Sequence, residues 1–401
     1  MITFNEQQIE AIKKVVKWYF VDSFHQQIFA LAGYAGTGKS TVINTAVKML
    51  GIPTNDVIFA TFTAKASLVL RLKGNPSNTI HKTFYSVYKG KKSFCFSLKH
   101  RLPSNIKLIV IDEASMINQK MLEDISSFGV PIILLMDAGQ IPPVFGSNIY
   151  IDNPDKMMDV QLTKVMRQDD SSGILDLAMA ARRGEPLELG QHKLSLVTTV
   201  SKIIDKIHTY DMVLCYSNKN RRILNKMIRD NLGYKSVYPT KGEKVLCMMN
   251  NYNYTIEYAD VPIFIINGLM SYVQEDAELT PRGDFDLLKL KFKPYFLDDN
   301  DPNTTFDTVC FREVFEQYTK DPSKEAFIEE LYSDKLEDDD LEDICMLDYG
   351  YAFTVHKSQG SEYDNPLLIV DIKGKTQDFY NKWLYTGITR AKKSVTIAFL
   401  D

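Results

Sequence analysis

GYAGTGKS, residues 33–40, is the stretch on which the reading of this chain turns. It follows an apolar run at 28–32 and precedes a segment of helical character, and Gly33, Gly38, Lys39 and Ser40 fit the spacing G-x-x-x-x-G-K-S. Glycines at these positions let backbone N–H groups close around phosphate oxygens. Lys39 then neutralises charge on the β- and γ-phosphates, and Ser40 is placed to ligate Mg²⁺.

Working outward, short β-like runs at 28–32, 57–61, 108–111 and 132–136 alternate with helix-like or loop segments across the first third of the chain. This rhythm predicts a parallel sheet with crossover helices. The third run opens LIVIDEASM, residues 108–116, where Asp112 would hold Mg²⁺ through water and Glu113 would polarise an attacking water. After the fourth, LLMDAGQIPPV, residues 134–144, puts the Gln140 amide just past a strand end, where it can sense a γ-phosphate.

A second α/β set follows: a strand-like stretch at 212–216, the helical RRILNKMIRDNLG, and strand-like stretches at 367–371 and 395–399. Between its halves, residues 236–345 are rich in Tyr, Phe and Pro and read as a mostly β insertion. The expected organisation is a first α/β domain over 1–170, with a hairpin insertion at 84–106. A second domain is assembled from 171–235 and 346–401, with a β domain inserted at 236–345.

Composition bounds the class. The 401 residues carry 45% hydrophobic and 24% charged side chains, which is globular and long enough for two or three domains. No apolar run approaches the roughly 18 residues of a membrane span. The N-terminal sequence lacks the pattern of a signal peptide, and the cysteines at 95, 215, 247, 310 and 345 form no CxxC pair. A cytoplasmic protein with reduced thiols and no zinc site is expected. The net charge of -4 does not advertise nucleic-acid binding, but KGKKSFCFSLKHR, residues 89–101, holds five Lys/Arg and no acid, whereas DKLEDDDLED, residues 334–343, holds seven acids. The acidic run reads as a solvated loop.

With these motifs in order, the chain resembles the superfamily 1 helicases, in the branch that contains RecD and the phage helicase Dda. NEQQIEA looks like the adenine-recognising Q motif with Gln8 as its glutamine, ATFTAKA at 60–66 like motif Ia, and NTIHK at 78–82 like motif Ib. LTKVMRQ at 162–168 looks like motif IV, with Arg167 directed to the γ-phosphate. YAFTVHKSQGSE at 351–362 looks like motif V, and LYTGITRAK at 384–392 like motif VI with Arg390 as a second arginine finger. Phe62 and Met136 depart from the family pattern, standing where proline and glycine are usual.

The resemblance implies two RecA-like P-loop NTPase domains, with a small β-hairpin insertion in the first and an SH3-like, mostly β insertion in the second. It implies an ATP-dependent DNA helicase that translocates 5'-to-3' on single-stranded DNA and unwinds duplex. The alternative is a translocating ATPase that displaces proteins without efficient unwinding. Its catalytic residues would be Lys39, Asp112, Glu113, Gln140, Arg167 and Arg390. Nucleotide would be held by Gln8, Gly33, Gly36, Gly38, Lys39, Ser40, Thr41 and Gly360, with Mg²⁺ on Ser40 and Asp112. DNA contacts fall to Thr63, Lys65, His81, Thr354 and His356, and a strand-separating wedge to Phe94 and Phe96, with Lys91, Lys92 and Lys99 on phosphates. The partners implied are single-stranded DNA and single-/double-strand junctions, with a replisome or single-strand-binding protein as a possible partner. The expected form is a monomer without membrane attachment, acting in a host cytoplasm if phage-encoded.

Overall fold

The computed structural model describes residues 3–89, 94–143, 146–165, 171–282, 285–297, 304–319 and 343–401. The chain divides into two compact units, Met1–Ser171 with Asn381–Thr386, and Ser172–Tyr380 with Gly387–Asp401.

In the first unit the strands are β1 (Ile28–Gly33), β2 (Val57–Thr61), β3 (Ser77–Thr79), β4 (Tyr85–Lys89), β5 (Phe94–Leu98), β6 (Leu108–Asp112), β7 (Ile132–Met136) and β8 (Val160–Leu162). Six of them form one parallel sheet in the order β3-β2-β6-β7-β1-β8. Its central strands are apolar on both faces, as a sheet covered by helices on each side requires. Alternation along the strands sorts the side chains: Phe29, Leu31, Val110 and Ile133 enter one core, Ala30, Ile109, Ile111 and Leu134 the other. Each of these Val, Leu, Ile and Phe side chains contributes roughly 1.5–3 kcal/mol by leaving water.

The helix Glu6–Lys17 lies in the first of these cores through Ala11, Ile12 and Val15. It starts at Asn5, whose side chain accepts the Gln8 N–H while the Gln8 side chain accepts the Asn5 N–H, a reciprocal cap. Off the sheet, β4 and β5 pair as an antiparallel hairpin with Tyr85 opposite Leu98 and Val87 opposite Phe96.

The second unit has its own six-stranded sheet. Its order is Ala352–Thr354, Val213–Cys215, Leu367–Val370, Thr396–Phe399, Ser195–Thr199 and Gly190–His192, parallel except for the last pair. The helix Asn218–Asn231, capped by Ser217, follows Val213–Cys215. A further seven-stranded, largely antiparallel sheet has Ile344–Cys345 and Leu347–Tyr349 at the ends of its main path, with Lys244–Cys247 beside the latter, and Asn251–Tyr258 pairs with Val261–Ile265 as a separate hairpin. The long strand Phe285–Pro294 alternates buried Leu288, Leu290 and Phe292 with Lys289 and Lys291.

Two buried ion pairs join that sheet to the helix Asn218–Asn231. Arg221 meets Asp348 at 2.8 Å, and Arg229 meets Glu243 at 2.7 Å while its guanidinium covers the Tyr349 ring at 3.9 Å. Among the described residues, no helix is long and apolar enough to cross a membrane.

Candidate active site

The loop between β1 and the helix Lys39–Met49 is shaped by its glycines. Gly36 and Gly38 take positive φ, 78° and 81°, and Gly38 is the residue from which the helix starts. At Gly33 a Cβ would lie 2.6 Å from Thr37 Oγ1 and 3.2 Å from the carbonyl oxygen of Leu162, so this position admits no side chain without movement. Gln8 braces the same loop: its Nε2 donates to the carbonyl of Thr37 at 3.0 Å, and a Cβ on Gly38 would come within 2.8 Å of that nitrogen. Lys39 Nζ donates to the carbonyls of Gly33 (2.8 Å) and Tyr34 (3.1 Å), which holds its ammonium over the loop. Thr41 lies within the first turn of the helix that follows.

At the end of β6, Ser40 Oγ donates to Asp112 Oδ2 at 3.0 Å, while Asp112 Oδ1 accepts the Glu113 N–H. Glu113 itself has φ 53° and ψ 39°, a left-handed conformation rare for a residue with a side chain. Ser40 and Asp112 offer oxygen donors to a hard divalent cation. Among the described residues there is no cluster of three or more His, Cys, Asp or Glu. The Ser40 and Asp112 oxygens suit Mg²⁺ in a phosphate site, which takes one or two protein oxygens and completes its shell with phosphate and water.

Past β7, Asp137 is buried, accepts the Gly139 N–H, and exchanges hydrogen bonds with Ser115 through its own backbone N–H and carbonyl. Gln140 is 3% exposed, and its Oε1 has no hydrogen-bond partner among the described residues. Asn381–Thr386 belongs to this unit as well: the Tyr385 hydroxyl donates to Asp137 Oδ2 at 2.6 Å, and Thr386 Oγ1 accepts the Ile141 N–H. Neither Asp137 nor Tyr385 was singled out by the motif reading. Arg167 lies outside the described residues, as do Lys91 and Lys92.

Elsewhere in the first unit, Thr63 Oγ1 caps the helix Ala64–Leu72 by accepting the Ala66 N–H. Lys65 is buried, and burial brings its ammonium down to about 8. His81 packs against Phe62, Tyr85 and Phe96, the last with centroids 5.1 Å apart, and burial lowers its basicity. Phe96 remains 49% exposed, and nothing is described of the Phe94 side chain. Lys99 is committed to the carbonyls of Lys82 and Thr83.

The second unit carries Thr354, His356, Gly360 and Arg390. Thr354 ends a sheet strand and is buried, and Gly360 has φ 75°. His356 stacks on Phe379 and meets the Tyr216 ring, and Lys375 lies over both partners. Burial and, after it, the Lys375 charge lower the His356 pKa. Tyr216, Lys375 and Phe379 escaped the sequence reading because they come from separate segments. Arg390 is buried, donating to the Ser361 carbonyl and Thr389 Oγ1.

Residues 3–200 match the AAA domain family and residues 349–398 the UvrD-like helicase C-terminal domain. The chain belongs to the superfamily 1 helicases. It is 25% identical to the ATP-dependent RecD2 DNA helicase of Deinococcus radiodurans over 42% of this chain and 24% of that protein. It is 24% identical to the RecD subunit of the RecBCD enzyme of Buchnera aphidicola over 80% of this chain and 58% of that one. It therefore spans less than two thirds of either relative. In fold it is similar to the Pif1 helicase of Candida albicans, with a TM-score of 0.56 at 14% identity, covering 99% of this chain and 94% of that one.

Proposed function

We propose that the protein is an ATP-dependent DNA helicase that moves 5'-to-3' along single-stranded DNA. The observation that carries the reading is the Ser40–Asp112 contact at the mouth of a glycine-shaped loop, with Lys39 above the loop and Glu113 next in sequence. In this assignment Gly33, Gly36, Gly38 and Thr41 belong to the nucleotide cradle, and Lys39 takes up phosphate charge. ATP is the nucleotide, and Mg²⁺, held by Ser40 and Asp112, supplies charge neutralisation at the phosphates. Glu113 orients the attacking water and takes its proton, Gln140 bonds the γ-phosphate region through its amide, and Arg167 and Arg390 stabilise transition-state charge. Gln8, besides bracing Thr37, faces the adenine, and Gly360 lines the nucleotide site from the motif V turn.

Single-stranded DNA is the assigned partner of Thr63, Lys65, His81, Thr354 and His356, through backbone and stacking contacts. Support comes from relatives: one is named a DNA helicase, and a Bacteroides Pif1 of similar fold was solved bound to single-stranded DNA. A second reading, translocation without efficient unwinding, is favoured by one observation, the packing of Phe96 on His81, which gives that ring a structural role beside the wedge role. Partial duplexes with a single 5' or 3' tail test both readings. Opening of the 5'-tailed substrate alone, with DNA-stimulated ATP hydrolysis, is expected. Opening of the 3'-tailed one refutes the direction, and hydrolysis without opening selects the second reading.

A further inference from the structure

Two hydrogen bonds of the Tyr385 hydroxyl reach groups of the proposed hydrolytic site. It donates to Asp137 Oδ2 at 2.6 Å and accepts the backbone N–H of Ala35, inside the phosphate loop, at 3.2 Å. The side chain is 1% exposed, so neither bond competes with water. A phenylalanine would fill the same volume, so the ring accounts for packing and the hydroxyl does not.

Asp137 distributes what it receives. Its other carboxylate oxygen accepts the Gly139 N–H, and its backbone is tied in both directions to Ser115, two residues past Glu113. Gly139 precedes Gln140, whose Oε1 is buried without a partner among the described residues. The next residue, Ile141, donates its N–H to Thr386, the neighbour of Tyr385. The Asp137–Ile141 turn is thus held at both ends by adjacent side chains, Tyr385 and Thr386, of the helix Gln377–Ile388, and Tyr385 also holds the phosphate loop.

We propose that Tyr385 is a positioning residue for hydrolysis, coupling the phosphate loop at Ala35 to the turn that presents Gln140. The proposal rests on reading the loop as an ATPase site. A shift of the Ala35 N–H towards a bound phosphate frees the hydroxyl's acceptor side and changes the strength and direction of its bond to Asp137. Gln140 is thereby realigned only when the loop is filled. Arg390 follows five residues later in the sequence, so the same segment leads directly into the proposed arginine finger.

Tyr385→Phe removes the hydroxyl and keeps the ring. Loss of a hydrogen bond to a charged group predicts a fall of about tenfold or more in kcat for DNA-stimulated ATP hydrolysis, with KM for ATP within about twofold. A hydroxyl that only stabilises the fold predicts full kcat at a lowered Tm. A second readout is independent of turnover. Trp383 is fully buried on the same segment, and the chain has only one other tryptophan, Trp18. In a Trp18→Phe background, a non-hydrolysable ATP analogue should change Trp383 fluorescence, and Tyr385→Phe should abolish the change while the analogue still binds. Tyr385→Phe added to Asp137→Asn should cost nothing further, because both cut one link. Unchanged kcat, an undiminished Trp383 response or a multiplicative loss in the double variant overturns the proposal. Absence of ATPase activity in the unaltered protein refutes the underlying reading instead, and the Trp383 response still decides whether the loop and the segment are coupled.

Discussion

Glu113 combines a proposed chemical role with an observable strain, and two substitutions separate them. At φ 53° and ψ 39° it occupies the left-handed region, which costs a residue with a Cβ about 1–2 kcal/mol. Glycine has no such penalty, but loses about 0.5–1 kcal/mol through the greater freedom of its unfolded chain. Glu113→Gly should therefore be more stable than Glu113→Gln by roughly 0.5–1 kcal/mol, a rise in Tm of about 2 °C. Both remove the carboxylate, and a positioned base is worth ~100-fold or more, so both should hydrolyse ATP at least that much more slowly while still binding it. Differential scanning calorimetry of the two variants and single-turnover hydrolysis give the two numbers. Normal turnover in Glu113→Gln refutes the base. If Glu113→Gly is instead the less stable of the pair, the turn is not strained in the way the backbone angles imply, and the link between strain and function fails.

The buried Arg221–Asp348 pair predicts a large effect in the second unit: Asp348→Ala leaves a guanidinium uncompensated and should cost about 3–5 kcal/mol in denaturant unfolding, against under about 1 kcal/mol for Asp230→Ala in the exposed Lys226–Asp230 pair. Lys65, brought down to about 8 by burial, is charged at neutral pH at a cost to folding that disappears as it deprotonates. The unfolded chain holds more protons between about 8 and 10.5, so stability from this group rises with pH across that window. Lys65→Met should thus be more stable by about 1–3 kcal/mol at pH 7, with the gap closing towards pH 10.5, and should bind single-stranded DNA more weakly. Phe96→Ala tests the hairpin: loss of unwinding with DNA-stimulated ATPase intact identifies a wedge, whereas a lowered Tm and loss of both identify packing against His81.

Much of the fold was legible because it is written locally. The runs at 28–32, 57–61, 108–111 and 132–136 are apolar on both faces, and continuous apolar strands between turn signals have few alternatives to a covered parallel sheet. The loop was legible for the same reason, since Gly36 and Gly38 are demanded by backbone angles that no side chain tolerates well. The hairpin followed from a glycine and lysines between two β-prone runs, and Tyr85 opposite Leu98 fixes its register. What a motif scan cannot contain is a contact between distant positions. Tyr385 lies 248 residues from Asp137 and 350 from Ala35, and nothing in LYTGITRAK distinguishes a buried tyrosine that packs from one whose hydroxyl is used. The ring cluster around His356 was hidden likewise, assembled from Tyr216, Lys375 and Phe379 on three segments.

Gln8 shows how the two kinds of information meet. Its place in NEQQIEA suggests an adenine contact, yet both ends of its amide are used inside the protein, the oxygen on the Asn5 N–H and the nitrogen on the Thr37 carbonyl. Each end keeps one unused site in these two bonds, a second lone pair on the oxygen and a second hydrogen on the nitrogen, and these are what a base edge could meet. An adenine bound there would find the donor already oriented by the helix cap and the loop, with no side-chain freedom to lose. The cap that starts the helix Glu6–Lys17, the brace that holds Thr37 and the donor proposed for the base are then one side chain. Replacing it would alter helix start, loop shape and nucleotide contact together, so the residue that looks like a recognition motif in sequence is also part of what keeps the loop in shape.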